Sequence, residues 1–300
     1  MRAAMVVNPA SGRGRAGRIA DRVAAKLRGA VDELTTVAAT TVEESRRLME
    51  RAHDTDLDLL VVVGGDGSAH QGVQFCADTG VALAVVPAGT GNDFARTLGA
   101  PKDPLAAADA LVAAIASGER TKMDLGRVEG GPWFASVLCA GFDSAVNERA
   151  NRMRWPAGPR RYDLAVVAEL ARLRPARLSV VEDGTHAEHE ATQIAVGNTP
   201  YYGGGIPICP DADLTDGLFD ITLVGRAGRF DLVKMLPKLR TGEHVRHPLV
   251  TCSRAREIRL AGPGGAGNGW VAYADGERIG PLPVAISCVP GALTVVGRRS

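Results

Sequence analysis

Val61-Val62-Val63-Gly64-Gly65-Asp66-Gly67-Ser68 is an apolar, β-branched run that ends in a glycine turn, and a helical period follows it from about Ala69. That order reads as a buried parallel strand, a tight loop and a covering helix. Such a loop turns backbone N–H groups and a helix N-terminus toward an anion, with no Cβ to block close approach. Asp66 is its informative residue. A carboxylate beside phosphates is repelled unless a cation lies between or it takes a proton, so a metal or base role stands against the plainer reading of a turn or helix cap. The same alternation continues on both sides of the turn: strand 3–7, helix 16–27, strand 33–38 and helix 42–52 before it, strand 82–86 and a helix from Leu105 after it. Ala16, Ile19, Ala20, Val23, Ala24 and Leu27 form one helical stripe, Thr41 with Glu44 makes a capping box, and Asp103-Pro104 opens the helix at Leu105. An α/β domain with a parallel sheet is predicted.

From Thr121 the texture changes. Strand candidates fall at 123–128, 133–138, 178–181, 193–196, 219–224, 257–260, 270–274, 284–288 and 293–296, with helices only at 145–151, 162–173 and 230–236. A mostly antiparallel β domain is expected, and 300 residues suit two domains. The boundary is placed near Gly118 to Thr121, giving domains 1–120 and 121–300, with a ligand cleft between them and the C-terminal tail packing back on the first.

Lys plus Arg number 35 against 34 Asp plus Glu, so an anion-binding surface must be local and a bulk nucleic-acid partner is disfavoured. Cys76, Cys139, Cys209, Cys252 and Cys288 are odd in number and far apart, which suits neither a disulfide framework nor a zinc site and points to a reducing, cytoplasmic setting. The N-terminus reaches Asn8-Pro9 before any signal-peptide apolar region forms, so no export is expected. The longest apolar run, 57–63, is broken by Asp58 and falls far short of the roughly 18 residues of a transmembrane segment. Membrane contact would be peripheral, at the inner face.

A second glycine loop, Pro87-Ala88-Gly89-Thr90-Gly91-Asn92-Asp93, closes the strand at 82–86, where an open α/β sheet places its ligand. Gly12-Arg13-Gly14-Arg15-Ala16-Gly17 formally matches a dinucleotide fingerprint. The acidic residue that would hold a ribose after the second strand is missing, however, and Thr40-Thr41 stand there instead. The sequence contains no Gly-Lys pair, which excludes an ordinary P-loop.

With Asn8-Pro9-Ala10-Ser11-Gly12, the two glycine loops, Asp124-Leu125-Gly126, the stretch 213–220 and Asp275-Gly276-Glu277 in this order, the chain resembles the bacterial lipid kinases related to diacylglycerol kinase and to sphingosine and ceramide kinases. The resemblance implies an N-terminal nucleotide-binding domain akin to phosphofructokinase and NAD kinase, and a C-terminal β-sandwich domain. It also implies ATP- and Mg2+-dependent phosphorylation of a lipid hydroxyl, foremost that of diacylglycerol. Carried over by motif, it places ATP on Asn8, Pro9, Ala10, Ser11 and Gly12, on Thr40 or Thr41, on Gly64, Gly65, Asp66, Gly67, Ser68, Ala69 and His70, and on Gly89, Thr90 and Asn92. Asp66 and Asp124 enter as active-site carboxylates. The catalytic base comes from Asp275 or Glu277, of which Glu277 matches the family's proton acceptor and Asp275 is the rival. A structural magnesium would take the Asp216 carboxylate and the main-chain carbonyls of Asp213 and Leu218. From the residues alone, Asp275-Gly276 also reads as a hairpin turn, Asp124 as a solvated strand end and Asp216-Gly217 as an ordinary turn. Two departures concern the magnesium near the nucleotide: Ser68 stands where the family usually has Thr, and His70-Gln71 where it has Asn-Glu or His-Glu, so Gln71 lacks a charge.

The partner expected is a lipid substrate at a membrane surface. Arg149, Arg152, Arg154, Arg160 and Arg161 surround Trp155-Pro156, and a second basic stretch, 226–240, interleaves Phe230, Leu232, Val233, Met235 and Leu236. Ordinary helix packing with a solvated basic face is the commoner meaning of such patterns. His186, His189, His244 and His247 read as surface histidines. Tyr201-Tyr202-Gly203-Gly204-Gly205 resembles the family's cleft-facing segment. An NAD kinase and a catalytically silent nucleotide sensor are the competing readings, the sensor favoured only by Gln71, and a homodimer is left open.

Overall fold

Apolar, β-branched runs with turn residues on both sides become the centre of a parallel sheet: β1 (Arg2–Val7), β3 (Leu59–Gly64) and β4 (Ala82–Pro87), with β3 buried along its whole length. Burial on both faces is why these strands carry no polar alternation. The computed structural model describes residues 1–53, 56–153, 155 and 159–297. Two units divide it: one of Met1–Leu125, Gly203–Gly205 and the chain from Val289, the other of Gly126–Tyr202 and Ile206–Cys288. The expected boundary at Gly118 to Thr121 therefore lies inside the first unit.

In the first unit, β1 pairs in parallel with β2 (Glu33–Ala38) on one side and with β3 on the other, and β4 pairs with β3. Helices α1 (Ser11–Leu27), α2 (Val42–His53), α3 (Asp66–Thr79), α4 (Asp93–Thr97) and α5 (Pro104–Ser117) connect and cover them. Ala16, Val23, Ala24 and Leu27 of α1 pack with Leu111 and Ala114 of α5 over Met5, Val61 and Ala84 of the sheet. The predicted caps are present. The Thr41 Oγ1 accepts the Glu44 N–H at 3.1 Å, and Asp103 accepts the N–H groups of Leu105 and Ala106 at 3.1 and 3.0 Å. α1 runs from Ser11 rather than from Ala16, with non-helical backbone at residues 12–14. α3 begins at Asp66 rather than at Ala69, and α4, only five residues long, carries no apolar period that a sequence pattern could show.

The second unit is a mostly antiparallel β-sandwich. Its strands are the end of β5 (Arg120–Val128), β6 (Trp133–Phe134), β7 (Val137–Gly141), β8 (Ala176–Glu182), β9 (Thr185–Gly197), β10 (Tyr201–Tyr202), β11 (Ile206–Pro207), β12 (Phe219–Gly225), β13 (Val250–Ala255), β14 (Glu257–Ala261), β15 (Val271–Ala274), β16 (Glu277–Pro281) and the start of β17 (Val284–Val296). β9 pairs with β8 through Thr185–Ala191, then with β7 and β12 through its buried second half. Phe134 and Phe219 stack in the core with ring centroids 5.6 Å apart, and Gly126 is required because a Cβ there would collide with the Phe134 ring. Helices α6 (Phe142–Arg152), α7 (Pro159–Ala171) and α8 (Arg229–Leu239) complete the unit. His244 is not a surface residue as expected: it is fully buried, with Nε2 3.0 Å from the Ile208 carbonyl oxygen, and burial pushes its pKa down. No helix among the described residues is long and apolar enough to cross a membrane.

Candidate active site

In the first unit three loops leave the carboxyl ends of β1, β3 and β4 and close on one another. Asn8 N–H reaches the Val63 carbonyl at 3.2 Å and Ala88 N–H the Gly64 carbonyl at 2.7 Å. Gly12 has φ 59°, and a Cβ on it would collide with the Ala88 carbonyl oxygen. A Cβ on Gly89 would sit 2.5 Å from the Gly65 Cα, so the two glycine turns lie backbone to backbone. After Gly12, Arg13 and Gly14 also have positive φ, and α1 is regular only beyond them. The start of α3 carries no side-chain cap, which leaves its first N–H groups for an anion.

Asp66 faces the α4 N-terminus. Its Oδ2 accepts the Asn92 N–H at 2.7 Å and its Oδ1 the Phe94 N–H at 3.2 Å. The plain capping role is thus filled, across 26 residues of chain rather than within its own helix. The same bonds stabilise the carboxylate but leave its negative charge in place. Asn92 adopts a left-handed backbone, and its amide side chain is spent on Gly89, accepting that residue's N–H at 2.9 Å and donating to its carbonyl at 3.0 Å. Asn92 therefore shapes the loop that presents the exposed Thr90. Asp93 is buried, Oδ2 accepting the Gly204 N–H at 2.7 Å, and burial raises its pKa.

Other expected nucleotide contacts are placed differently. Thr40 donates both its N–H, at 2.7 Å, and its hydroxyl, at 3.0 Å, to Glu44, and Thr41 caps α2, so both side chains serve the helix start. The side chains of Ala69 and His70 are buried in α3. Ser11, Gly65, Ser68 and Gly89 are half-buried along the loops, whereas Ala10, Gly67 and Thr90 are exposed. Asp124 is no solvated strand end: it is 3% exposed in mid β5, with Oδ1 accepting the Gly291 N–H at 2.8 Å. Arg13 went unweighed in the sequence because its only role there was as filler between glycines. Arg13 is exposed, with φ 58° between two glycines that also have positive φ.

In the second unit the Asp275-Gly276 turn joins β15 to β16, with Ala274 opposite Glu277 and φ of 51° and 83° at the two turn residues. The hairpin reading is right as geometry and incomplete as chemistry. The Asp275 carboxylate turns inward and accepts the Ala135 and Ser136 N–H groups, each at 2.8 Å. Asn198, buried and unnoticed in the sequence, braces the same corner by donating its side-chain amide to the Ala135 carbonyl at 2.9 Å. Glu277, two residues on, is exposed, and its carboxylate has no hydrogen bond to another described residue. Asp275 is thus tied to backbone N–H groups, whereas Glu277 is exposed.

The stretch before β12 is acidic and folded on itself. Asp213 Oδ1 accepts the Thr215 N–H and hydroxyl at 3.0 and 2.7 Å, and Asp216 Oδ1 accepts the Leu218 N–H at 3.0 Å while Oδ2 pairs with Arg254. Asp220, beside Asp211 and Asp213, has its pKa pushed up to about 6, first by burial and then by those two carboxylates. Among the described residues no group of three or more His, Cys, Asp or Glu side chains gathers as a metal cluster. The donors fit a hard cation that retains water and main-chain carbonyls, which would relieve the crowded acids.

A cavity of about 560 Å³ opens in this unit, floored by Phe142, Met153, Leu173 and Trp270. Two of the arginines expected to dock a membrane line it: Arg149 pairs with Glu169, and Arg152, its side chain 79% exposed, pairs with Glu148 at 2.6 Å. Arg278 and the Tyr273 hydroxyl also reach Glu148, and Arg278 holds that carboxyl below its ordinary value. Trp155 is exposed, and Arg154 and Pro156 lie outside the described residues.

Residues 2–128 match the family described as diacylglycerol kinase catalytic domain, and residues 136–297 the YegS C-terminal NAD kinase beta sandwich-like domain. The chain is 41% identical to a diacylglycerol kinase of Mycobacterium tuberculosis, over 98% of its own length and 94% of the relative's. It is 28% identical to one from Bacillus subtilis, over 86% and 85%. A crystal structure of a Bacillus anthracis diacylglycerol kinase has the same fold, with a TM-score of 0.78 at 23% identity, covering 98% of this chain and 96% of that one.

Proposed function

The chain belongs to the diacylglycerol kinase family of lipid kinases, and on that premise we propose that it transfers the γ-phosphoryl group of ATP to the free hydroxyl of diacylglycerol, acting peripherally from the cytoplasmic side of a membrane. The observation that carries the reading is the closure of the Asn8–Gly12, Gly64–Ser68 and Pro87–Asp93 loops on one another, which leaves glycine backbone and an uncapped helix start for a polyphosphate. Asp66 holds the third loop against the second and keeps Thr90 and the amides of the turn aimed. Arg13 adds charge beside the first loop. The acceptor's chains occupy the cavity over Phe142, Met153 and Trp270. Glu277 takes the hydroxyl proton as that oxygen bonds to the γ-phosphorus and ADP departs with the old bridging oxygen. Asp275 positions the turn that carries Glu277. The Asp216 carboxylate with the Asp213 and Leu218 carbonyls would hold a structural magnesium, and the magnesium that accompanies ATP neutralises phosphate charge when bound.

The test is transfer of label from γ-labelled ATP, with magnesium, to diacylglycerol, sphingosine, ceramide or NAD, for the wild type, Asp66→Ala and Glu277→Ala. Label in diacylglycerol that disappears in both variants is expected. Label in NAD alone overturns the lipid reading, and ATP binding with no transfer to any acceptor overturns the kinase chemistry.

A further inference from the structure

Helix α8 has two apolar faces, and the fold uses one. Leu232, Met235 and Leu239 pack under Val224, Ala227, Leu249 and Val250. Phe230, Val233 and Leu236 face away from that cluster and are 82%, 46% and 47% exposed. An exposed Phe backed by two large aliphatics on one short helix is a cost the fold does not recover, since leaving such a side chain in water forgoes most of its burial energy. Around this ridge the segment 226–240 carries five cations, Arg226, Arg229, Lys234, Lys238 and Arg240, of which Arg226 pairs with Glu190 at 3.3 Å, against the single acid Asp231 within the segment. That acid is already engaged, accepting the Gly228 N–H at 2.8 Å. Phe230, Lys234 and Lys238 follow one another at single-turn spacing, so the cations run through the apolar ridge rather than on the far side. Arg229 donates to the Ala171 carbonyl at 2.5 Å and so joins the α8 start to the 171–175 turn, which adds Arg172 and Arg174.

We propose that this face of α8, with the adjoining 171–175 turn, is the surface by which the protein docks on an anionic phospholipid bilayer. Phe230 and Val233 enter the headgroup boundary while Lys234, Lys238 and Arg240 meet lipid phosphates. Charge decides among occupants. A second copy seated on the same patch about a two-fold axis would set these cations against themselves, and a nucleic-acid backbone offers no hydrocarbon to Phe230, whereas an anionic bilayer satisfies both halves of the patch. The surface is separate from the basic segment around Trp155, where Arg149 and Arg152 are paired within the fold. The inference rests on the lipid-kinase reading only for its purpose, since docking brings the enzyme to an acceptor that resides in the membrane.

The test sediments the full chain, without ATP, with vesicles of phosphatidylcholine alone and of phosphatidylcholine mixed with phosphatidylglycerol. The wild type is expected to pellet with the mixed vesicles and to be released by salt. Phe230→Ser/Val233→Ser and, separately, Lys234→Glu/Lys238→Glu should each weaken that binding roughly tenfold or more. Both pairs should keep the wild-type unfolding midpoint and the wild-type rate on a short-chain acceptor dissolved as monomer. No binding by the wild type, or equal binding by the variants, overturns the surface. A dimer in velocity sedimentation that the variants dissolve, with no vesicle binding, assigns the face to a second copy and overturns it as well. Failure to phosphorylate the soluble acceptor would count against the proposed function and leave the vesicle result to judge the surface by itself.

Discussion

Two carboxylates two residues apart have their oxygens in different surroundings, which is why different roles are proposed for them. Asp275 gives both oxygens to backbone N–H groups, and Glu277 gives neither to any described residue. In Asp275→Asn one of those N–H groups would face an amide NH2, so unfolding stability should fall by about 1–3 kcal/mol, with phosphotransfer reduced through displacement of the turn. Glu277→Gln removes a proton acceptor and no internal hydrogen bond. Transfer should drop roughly 100- to 10,000-fold while ATP affinity and the denaturation midpoint hold. Measuring both variants by chemical denaturation and by transfer rate separates the roles, and a stability loss in Glu277→Gln larger than in Asp275→Asn would reverse them. The sequence could name both residues but not rank them, because the partners of Asp275 lie 139 and 140 positions away. Sequence separation likewise hid the commitment of Asp124 to Gly291, 167 positions away, and that of Asp66 to Asn92 and Phe94, 26 and 28 positions away. A motif shows which acids gather near a loop and is silent on which of their lone pairs are already occupied.

Elements built from local rules were legible, and those built by long-range contact were not. The Thr41–Glu44 and Asp103 caps, the α1 stripe and the buried strands follow from residues close in sequence, and β1, α2 and β3 formed within a residue or two of expectation. Helix α4 escaped because its start is supplied by Asp66 rather than by its own sequence. The expected strand 133–138 splits into β6 and β7 because Asp275 draws Ala135 and Ser136 into a corner. Helix α8 was legible as a helix, while which of its two apolar faces would be left outside was not. The loops of the first unit carry a prediction at this scale. Gly89→Ala puts a methyl group 2.5 Å from the Gly65 Cα, where only backbone can give way, so both glycine turns must part. ATP affinity should weaken roughly tenfold or more, with a stability loss of about 1–3 kcal/mol of the kind overpacking causes. Gly67→Ala, whose Cβ meets open space, is the control and should leave stability within about 0.5–1 kcal/mol of the wild type. Equal ATP affinities for the two variants, read by calorimetry, would mean that the turns do not touch as described. For the acidic stretch before β12, magnesium should raise the unfolding midpoint of the wild type more than that of Asp216→Asn, and equal shifts would remove the structural ion.

For the whole molecule, stability against pH is shaped by titratable groups the fold has perturbed, and His244, like the depressed Glu148, opposes the buried Asp93 and Asp143. Burial raises the pKa of Asp93 and Asp143, so the native state holds their protons longer than the unfolded chain does. Their contribution to stability therefore declines as pH rises above the ordinary carboxylate range of about 4. His244 runs the other way. Its pKa is depressed by burial, so the unfolded chain takes the proton first, and the stability that the neutral ring contributes is present above about 6.5 and is lost as pH falls below it toward the native value. A single such proton can impose a slope of no more than about 1.4 kcal/mol per pH unit. His244→Gln retains a donor for the Ile208 carbonyl and cannot be protonated, so the acids should act alike in both proteins and their difference should isolate the histidine. Denaturation midpoints taken between pH 7.5 and pH 5 should show the variant less stable at the upper end, through imperfect packing at a fully buried site, and gaining on the wild type as pH falls below about 6.5. Parallel curves over that range would mean that His244 titrates alike folded and unfolded. The burial that denies it solvent would then carry no consequence for the acid stability of the protein.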